Sequence, residues 1–399
     1  MKIIVQAFTG GFHSANDPAG HKHEIDKLVS ICEKAHADSV LIGWNVSWPY
    51  DGLVREMKQR SVKVFLWLPV FSEYGEDAVA ALDFLGGRHE NARTAADDDF
   101  SFACPGDGAN IRLASLYYDK YFNRHGFDGI FLDKIRFSSY GNGFHSAMGC
   151  FCDACRDFYE REGVDMDIFA EMMAKPQKDF LIPDALHGLD YTFINPLMDS
   201  LFRARAKMIT ASTRKVADVF HDRGLSVGLD VFAPPFAYLV GQDIRALSDF
   251  ATFIKPMMYN VTDAPAGVPY ELRHMKAELM KNGCDIGGRL EKLWGTESLT
   301  LEDCFTRQLC LLKETNCDIY PGVEVNKVDF CATSDEYVMK TLSSIKDSGL
   351  AGAVLSWNVL AECVCLAFSY KTAYDKSRKS GINPAQPKRS ECYEYSNDR

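Results

Sequence analysis

The sequence has no long apolar run and no excess of positive charge. Its longest apolar stretches, such as Leu350–Leu355, fall far short of the about 20 residues that a membrane-spanning helix needs. The 44 lysines and arginines are outnumbered by 55 aspartates and glutamates, so the formal net charge is −11. Such an acidic chain is poorly suited to bind a phosphate backbone. We therefore expect neither a membrane protein nor a nucleic-acid-binding protein.

An export signal and a disulfide framework are also missing. The strand-like run Lys2–Phe8 is followed at once by Gly10 and Gly11, whereas a signal peptide has a longer apolar stretch and a cleavage site of small residues. The 13 cysteines are an odd number in a chain of 399 residues, and chains of this size seldom depend on disulfides. We therefore expect a cytoplasmic protein.

Short apolar runs alternate with helical patterns along the chain. The hydrophobic share of 47% and the charged share of 25% are typical of a globular protein. Several runs are continuously apolar, as strands buried on both faces require. The eight predicted strands are Lys2–Phe8, Ser39–Trp44, Lys63–Val70, Gly129–Asp133, Leu225–Phe232, Thr252–Tyr259, Asp318–Val325 and Gly352–Trp357. Helical spacing predicts helices between them, among them Lys22–Ala37, Leu197–Arg223 and Glu336–Ser348.

This alternation predicts an α/β fold, the (β/α)8 TIM barrel. A doubly wound sheet is the alternative, but no Gly-x-Gly-x-x-Gly motif follows the first strand. Two long βα loops, from Phe71 to Phe127 and from Asn260 to Cys317, are expected to build the rim of the active site. We predict one catalytic domain over residues 1–370 and a polar C-terminal tail over residues 371–399.

Acidic and aromatic residues stand near the ends of the predicted strands, where barrel enzymes carry their chemistry. Paired carboxyl groups with aromatic rings are typical of sugar-cleaving sites. We expect Asp133 to act as nucleophile or base and Glu324 as proton donor, with Asp230 or Glu291 in reserve. Each of these carboxylates has a structural alternative, as a loop cap or an ion-pair partner. The candidate substrate contacts are His13, Trp44, Lys134, Arg136, Tyr259 and Trp357.

Three short motifs carry a resemblance to known enzymes. The run Phe127–Asp133, Phe-Asp-Gly-Ile-Phe-Leu-Asp, resembles the strand-four signature of (β/α)8 glycoside hydrolase-like families, including uncharacterised hydrolase-like barrels. The run Met257–Asn260 is similar to strand six of chitinase-like barrels, and Ser356–Asn358 resembles their strand eight. The resemblance implies a glycosidase that acts on a carbohydrate or glycoconjugate, with Asp133 as a catalytic residue. The chain lacks the Asp-x-x-Asp-x-Asp-x-Glu of chitinases, so the sugar and the stereochemistry stay open.

Four cysteines form the most specific local pattern. Cys150, Cys152 and Cys155 make a Cys-x-Cys-x-x-Cys run, and Cys104 lies 46 positions before it. The set resembles the structural zinc site of family 42 β-galactosidases. The resemblance implies one structural Zn2+ held by these four residues, since four thiolates suit a closed tetrahedral site. The alternative is a set of unrelated reduced thiols, and no organic cofactor is expected.

Two other functions stay open beside the glycosidase. A barrel lyase or aldolase would use Lys134 as a Schiff-base amine. A non-catalytic carbohydrate-binding barrel is the third possibility, although three acids at strand ends argue against it. The sequence does not choose between α and β anomers, between exo and endo action, or between a monomer and a homo-oligomer.

Overall fold

Nine parallel strands form the centre of the protein. The computed structural model describes residues 1–15, 17–88, 101–174 and 178–364. Its strands are β1 Lys2–Phe8, β2 Ser39–Gly43, β3 Lys63–Pro69, β4 Gly129–Asp133, β5 Pro183–His187, β6 Asp190–Phe193, β7 Ser226–Phe232, β8 Phe253–Met257, β9 Asp318–Ile319, β10 Gly322–Glu324, β11 Lys327–Val328, β12 Cys331–Ala332 and β13 Gly352–Ser356. The parallel sheet has the order β10-β13-β1-β2-β3-β4-β7-β8-β9. The pairs β5–β6 and β11–β12 are antiparallel hairpins.

The two edge strands of this sheet, β9 and β10, are connected by Tyr320 and Pro321. β9 pairs with β8, and β10 pairs with β13. Between them, the Tyr320 N–H donates to the carbonyl of Ile254 at 2.9 Å, and the Val354 N–H donates to the carbonyl of Pro321 at 3.0 Å. The predicted seventh strand is therefore broken into two, because Pro321 has no N–H to give to a ladder. The predicted strand order and direction are observed, but the sheet is not a closed ring of eight unbroken strands.

Helices fill the connections between the strands. Within the described residues they are α1 Pro18–Ala35, α2 Tyr50–Gln59, α3 Gly108–Tyr117, α4 Phe144–Met148, α5 Asp153–Arg161, α6 Met166–Ala174, α7 Pro196–His221, α8 Pro234–Ala237, α9 Ile244–Ser248, α10 Val268–Lys281, α11 Arg289–Leu293, α12 Glu302–Leu312 and α13 Asp335–Ser348. The three helices predicted by name are α1, α7 and α13, with ends displaced by up to four residues. None of the helices in the described part of the chain is both long and apolar enough to cross a membrane.

Local signals fix the ends of the long helices. The Asn195 side chain accepts a hydrogen bond from the Leu197 N–H at 2.9 Å, and Pro196 occupies the first turn of α7. Both features favour a helix start. Helix α13 ends at Gly349, whose φ of 77° lies in the left-handed region that favours glycine. The sequence therefore sets these ends through residues that can be recognised before the structure is known.

Aromatic rings from different strands pack together in the interior of the curved sheet. Phe131 on β4 stacks on Phe253 on β8, with ring centroids 5.9 Å apart. Gly228 leaves room for the Phe253 ring, because a Cβ atom there would collide with it. This packed layer supports the side chains at the carboxyl ends of the strands. The predicted tail over residues 371–399 lies outside the described residues, so the domain boundary at residue 370 stays a prediction.

Candidate functional site

Asp133 ends β4 and is fixed by two N–H donors. The indole Nε1 of Trp67 donates to Oδ2 of Asp133 at 3.0 Å, and the Lys134 N–H donates to Oδ1. Trp67 comes from the adjacent strand β3. Lys134 has a φ of 53°, so the chain turns sharply as the strand ends. Because a carboxylate has about four acceptor sites, Asp133 keeps acceptor capacity beyond these two bonds.

Asp230 lies near the end of β7 beside a buried lysine. The Nζ atom of Lys255, at the paired position on β8, lies 3.0 Å from Oδ2 of Asp230. Oδ1 of Asp230 is buried and has no hydrogen-bond partner among the described residues. Burial raises the pKa of Asp230 to about 8; the Lys255 ammonium opposes this shift, and the negative charge of Asp133 adds to it. The two aspartates therefore interact electrostatically.

Glu324 ends β10 and is held by the loop after β8. The Val261 N–H and the Tyr337 hydroxyl both donate to Oε1 of Glu324, the latter at 3.3 Å. Burial raises the pKa of Glu324 to about 8, whereas the hydrogen bonds from Val261, from Tyr337 and from other backbone groups of the loop lower it. Glu324 is thus a buried acid with a well-defined anchoring role.

Tyr259 lies within the electrostatic reach of all three predicted acids. Burial raises its pKa well above the usual range, and the negative charges of Asp230, Glu324 and Asp133 raise it further. The Lys255 Nζ atom lies 5.2 Å from the centroid of the Tyr259 ring. The structure therefore brings Asp133, Asp230, Glu324 and Tyr259 to one end of the parallel sheet.

Arg136 belongs to the same cluster of charges. Its guanidinium lies 4.6 Å from the Phe102 ring and 4.3 Å from the Phe232 ring. Burial lowers the pKa of Arg136 to about 10, while the charges of Glu271, Asp133 and Asp230 oppose this shift. The two rings hold a cation close to the two aspartates.

Lys134 and Trp44 lie beside Asp133. The Lys134 ammonium forms an ion pair with Glu73, and it lies 5.9 Å from the centroid of the Trp44 ring. Trp44 is buried and packs edge-on against Trp67 with ring centroids 4.8 Å apart. Both predicted contacts therefore border the Trp67–Asp133 pair.

Three other predicted residues have partners elsewhere. His13 is exposed, and its ring lies 6.3 Å from that of Tyr121. Trp357 is half-buried and stacks on Phe330 at 5.7 Å. Glu291 forms an ion pair with Lys276 at 2.5 Å, and this pair joins α11 to α10. None of the contacts of these three within the described residues reaches Asp133 or Asp230.

Two charged residues of the cluster were missed by the sequence analysis. Lys255 stands inside the apolar run of β8, where a single lysine among buried residues was a recognisable signal. Glu271 lies on α10 and accepts the Ala266 N–H at 2.9 Å; no pattern links it in sequence to Arg136. Only the folding of α10 over the sheet brings the two together.

The four predicted cysteines form a compact group. All four sulfur atoms lie within 4.8 Å of one another. Sγ of Cys104 is 3.3 Å from that of Cys152 and 3.4 Å from that of Cys155. The Leu82 N–H donates to Sγ of Cys150 at 3.3 Å. The segment before α3 therefore meets the start of α5.

This group fits a metal ion. Four sulfurs at about 2.3 Å from a tetrahedral zinc would lie about 3.8 Å from one another, which is close to the distances observed. The four cysteines are free thiols and form no disulfide. The group can therefore hold a metal ion in a closed, buried site.

Comparison with known proteins gives a likeness of fold. No family model matches the chain, and no curated protein matches its sequence. The glycoside hydrolase domain of PgaB (BpsB) from Bordetella bronchiseptica is 13% identical, with a TM-score of 0.54 over 90% of this chain and 95% of that one. The Group IV chitinase of Ostrinia furnacalis, at 8% identity, covers 94% of this chain and 100% of its own with a TM-score of 0.44. The chain thus shares the fold of a glycoside hydrolase domain.

Proposed function

We propose that this protein is a glycoside hydrolase built on a (β/α)8 barrel whose seventh strand is interrupted. The observation that supports the proposal best is the convergence of three buried acids on Tyr259 at the carboxyl ends of parallel strands. In barrel enzymes, chemistry occurs at this end of the strands. Cleavage of a glycosidic bond needs two carboxyl groups with different protonation states. The likeness to a glycoside hydrolase domain supports the same conclusion.

In this proposal Asp133 is the nucleophile or the base. Its two N–H donors, from Trp67 and from the backbone of Lys134, hold the carboxyl group in one orientation. Arg136 places a positive charge within reach of the same carboxylate. This environment suits a group that must carry negative charge when it reacts.

Asp230 is the better proton donor of the two remaining acids. Its pKa of about 8 keeps it protonated at neutral pH, and the charge of Asp133 contributes to that shift. Its Oδ1 has no hydrogen-bond partner in the described part of the chain, so it is available to a substrate. Glu324 is the donor expected from the sequence, and its pKa is also about 8. Its Oε1 atom, however, already accepts the Val261 N–H and so holds that loop. We therefore assign Asp230 the donor role and Glu324 the anchoring role.

The aromatic and cationic residues around the acids are the proposed substrate contacts. Tyr259, Arg136, Trp44 and Lys134 border the acids, and aromatic rings suit the faces of sugar rings. His13 and Trp357 lie further out and would contact only a larger carbohydrate or glycoconjugate. The free thiols of the described cysteines suit a reducing compartment such as the cytoplasm.

A panel of α- and β-nitrophenyl glycosides tests the proposal. We expect the wild type to hydrolyse at least one, and Asp133→Asn to reduce turnover by about 1,000-fold or more. Asp128→Asn is the matched control, because Asp128 immediately precedes the same strand and its side chain accepts the Val64 N–H. Wild-type turnover in Asp133→Asn on a confirmed substrate would remove Asp133 from the mechanism.

We also propose that the four-cysteine group binds one structural Zn2+. A closed set of four thiolates leaves no position for substrate, so the metal would stabilise the fold. It would tie the segment of Cys104 to the loop of Cys150 that follows β4. Metal analysis of the purified protein should give about one zinc per chain. A protein without bound metal, or with these cysteines paired as disulfides, contradicts this part of the proposal.

A lyase is the second candidate, and one observation favours it. A buried lysine, Lys255, lies beside Asp230 at the centre of the site, whereas Lys134 is engaged with Glu73. An imine-forming enzyme would therefore use Lys255 more readily than Lys134. Borohydride treatment in the presence of a carbonyl substrate, followed by peptide mass analysis, identifies the modified lysine. A trapped adduct on either lysine would replace the glycosidase proposal.

A further inference from the structure

Arg205 is a fully buried cation that binds the segment leading into Cys150. It lies on α7, and its exposed fraction is 0%. Its Nη atoms donate to the carbonyl groups of Met148 and Ala147, each at 2.8 Å. These carbonyls belong to the short segment that leads directly into Cys150. Arg205 thus holds the chain that presents one of the sulfurs.

No carboxylate of residues 1–15, 17–88, 101–174 or 178–364 forms an ion pair with Arg205. The ionisable groups whose charges act on it are two tyrosines, Tyr159 and Tyr140, and two of the cysteines, Cys155 and Cys150. An arginine stays protonated in proteins, and a buried charge is costly unless it is paired. Of these groups, Cys150 and Cys155 belong to the proposed metal site, so metal-bound thiolates are the candidates for its negative partner.

The helix that carries Arg205 also touches the sulfur group. Sδ of Met208, three residues further along α7, lies 3.7 Å from Sγ of Cys155. The guanidinium of Arg205 itself lies 4.3 Å from the centroid of the Phe137 ring. The ring faces the cation but cannot neutralise it. One face of α7 is therefore built around the cysteines.

We infer that Arg205 is the counter-cation of a negatively charged metal–thiolate centre. The inference rests on the proposed metal site. Four thiolates around one divalent cation leave a net charge of minus two, which is expensive in a dry environment. A permanent cation bound to the carbonyls of the segment that leads into Cys150 lowers that cost. Arg205 would then be a positioning residue of the metal centre.

Two buried polar atoms fit the same assignment. Nε of Arg205 and the hydroxyl of Tyr159 have no hydrogen-bond partner among the described residues. Tyr159 lies one helical turn after Cys155 on α5. Both groups are hydrogen-bond donors that an ordered water could satisfy.

The test compares metal affinity in Arg205→Met, Arg205→Lys and a control. The control is Arg214→Met on the same helix, because Arg214 is exposed and stacks on Phe250 instead. Affinity for Zn2+ is measured by competition with a coloured chelator, and Co2+ substitution reports thiolate coordination through its charge-transfer absorption. We expect Arg205→Met to weaken zinc binding by about 10- to 100-fold. Arg205→Lys should stay within about threefold of the wild type, because it keeps the charge, and Arg214→Met should not change.

The outcomes distinguish a failure of the proposed metal site from a failure of the role proposed for Arg205. A wild-type protein that binds neither Zn2+ nor Co2+ overturns the metal site, and the role of Arg205 with it. Wild-type affinity in Arg205→Met overturns only the role of Arg205. Should Arg205→Met fail to fold, Arg205→Lys decides alone. A loss of tenfold or more in that variant would assign Arg205 to holding the carbonyls of Ala147 and Met148, and not to charge.

Discussion

The Nζ atom of Lys255 lies 3.0 Å from Oδ2 of Asp230, and their side chains are only 1% and 2% exposed. The two residues occupy paired positions on β8 and β7, so the register of the sheet fixes their distance. A buried pair of this kind is costly to break, because the remaining partner is left without its hydrogen bond and must become neutral or stay uncompensated. Each residue therefore controls the state of the other.

This dependence predicts the effect of removing the lysine. Lys255→Met should lower the free energy of unfolding by about 1–3 kcal/mol, because Asp230 takes up a proton and loses its buried hydrogen-bond partner. The double variant Lys255→Met/Asp230→Asn should lose clearly less than the sum of the single variants. Urea unfolding of the four proteins measures both quantities. Additive losses would mean that the two side chains are not coupled.

The strand ends of the site were accessible from the sequence, but its centre was not. Asp133 and Glu324 follow apolar runs, and parallel strands bring such positions to one edge of the sheet. Lys255 lies inside a strand of mostly apolar residues. Its charge at this position is explained only by its contact with Asp230. Its significance depends on strand neighbours 25 residues apart, and pattern analysis does not provide that pairing.

Part of the fold was also predictable from the sequence, again because buried parallel strands leave apolar runs. Continuous apolar runs gave β1 to β4 nearly to the residue, because strands buried on both faces leave that pattern. The seventh predicted strand was wrong as one element, since Pro321 interrupts its hydrogen bonding. The hairpin of β5 and β6 was missed, because its polar residues alternate with apolar ones over only a few positions.

The pKa of Glu324 predicts how stability changes with pH. Its pKa is about 8 in the folded protein and about 4.3 in an unfolded chain. The folded state therefore keeps a proton that the unfolded state releases. This contribution to stability is complete below about pH 4 and is lost as the pH rises towards about 8.

We expect Glu324→Gln to flatten this dependence, because glutamine does not titrate. Urea midpoints at several pH values between 5 and 8.5 should fall less steeply in Glu324→Gln than in the wild type. Glu297→Gln, at an exposed position, is the control. Equal slopes in all three proteins would show that Glu324 is already ionised in the folded state at pH 5.

Replacement of one of the four cysteines should lower the melting temperature more than it lowers the turnover of substrate. We expect Cys104→Ser to reduce the zinc content well below one per chain and to lower the melting temperature by several degrees. A strong chelator should lower the melting temperature of the wild type and leave that of Cys104→Ser unchanged. Cys317→Ser, outside the group, serves as the control. Full zinc content in Cys104→Ser would remove Cys104 from the ligand set.

The identity of the proton donor can be determined from the pH dependence of turnover. A donor must be protonated, so kcat should fall above about pH 8 whether Asp230 or Glu324 has that role. Lys255 lowers the pKa of Asp230, whereas hydrogen bonds from Tyr337 and from the loop of Val261 lower that of Glu324. Lys255→Met should therefore move the basic limb of kcat to higher pH if Asp230 is the donor. Glu324→Gln should leave the limb where it is. The reverse pattern, a limb that is unmoved in Lys255→Met and absent in Glu324→Gln, would transfer the donor role to Glu324.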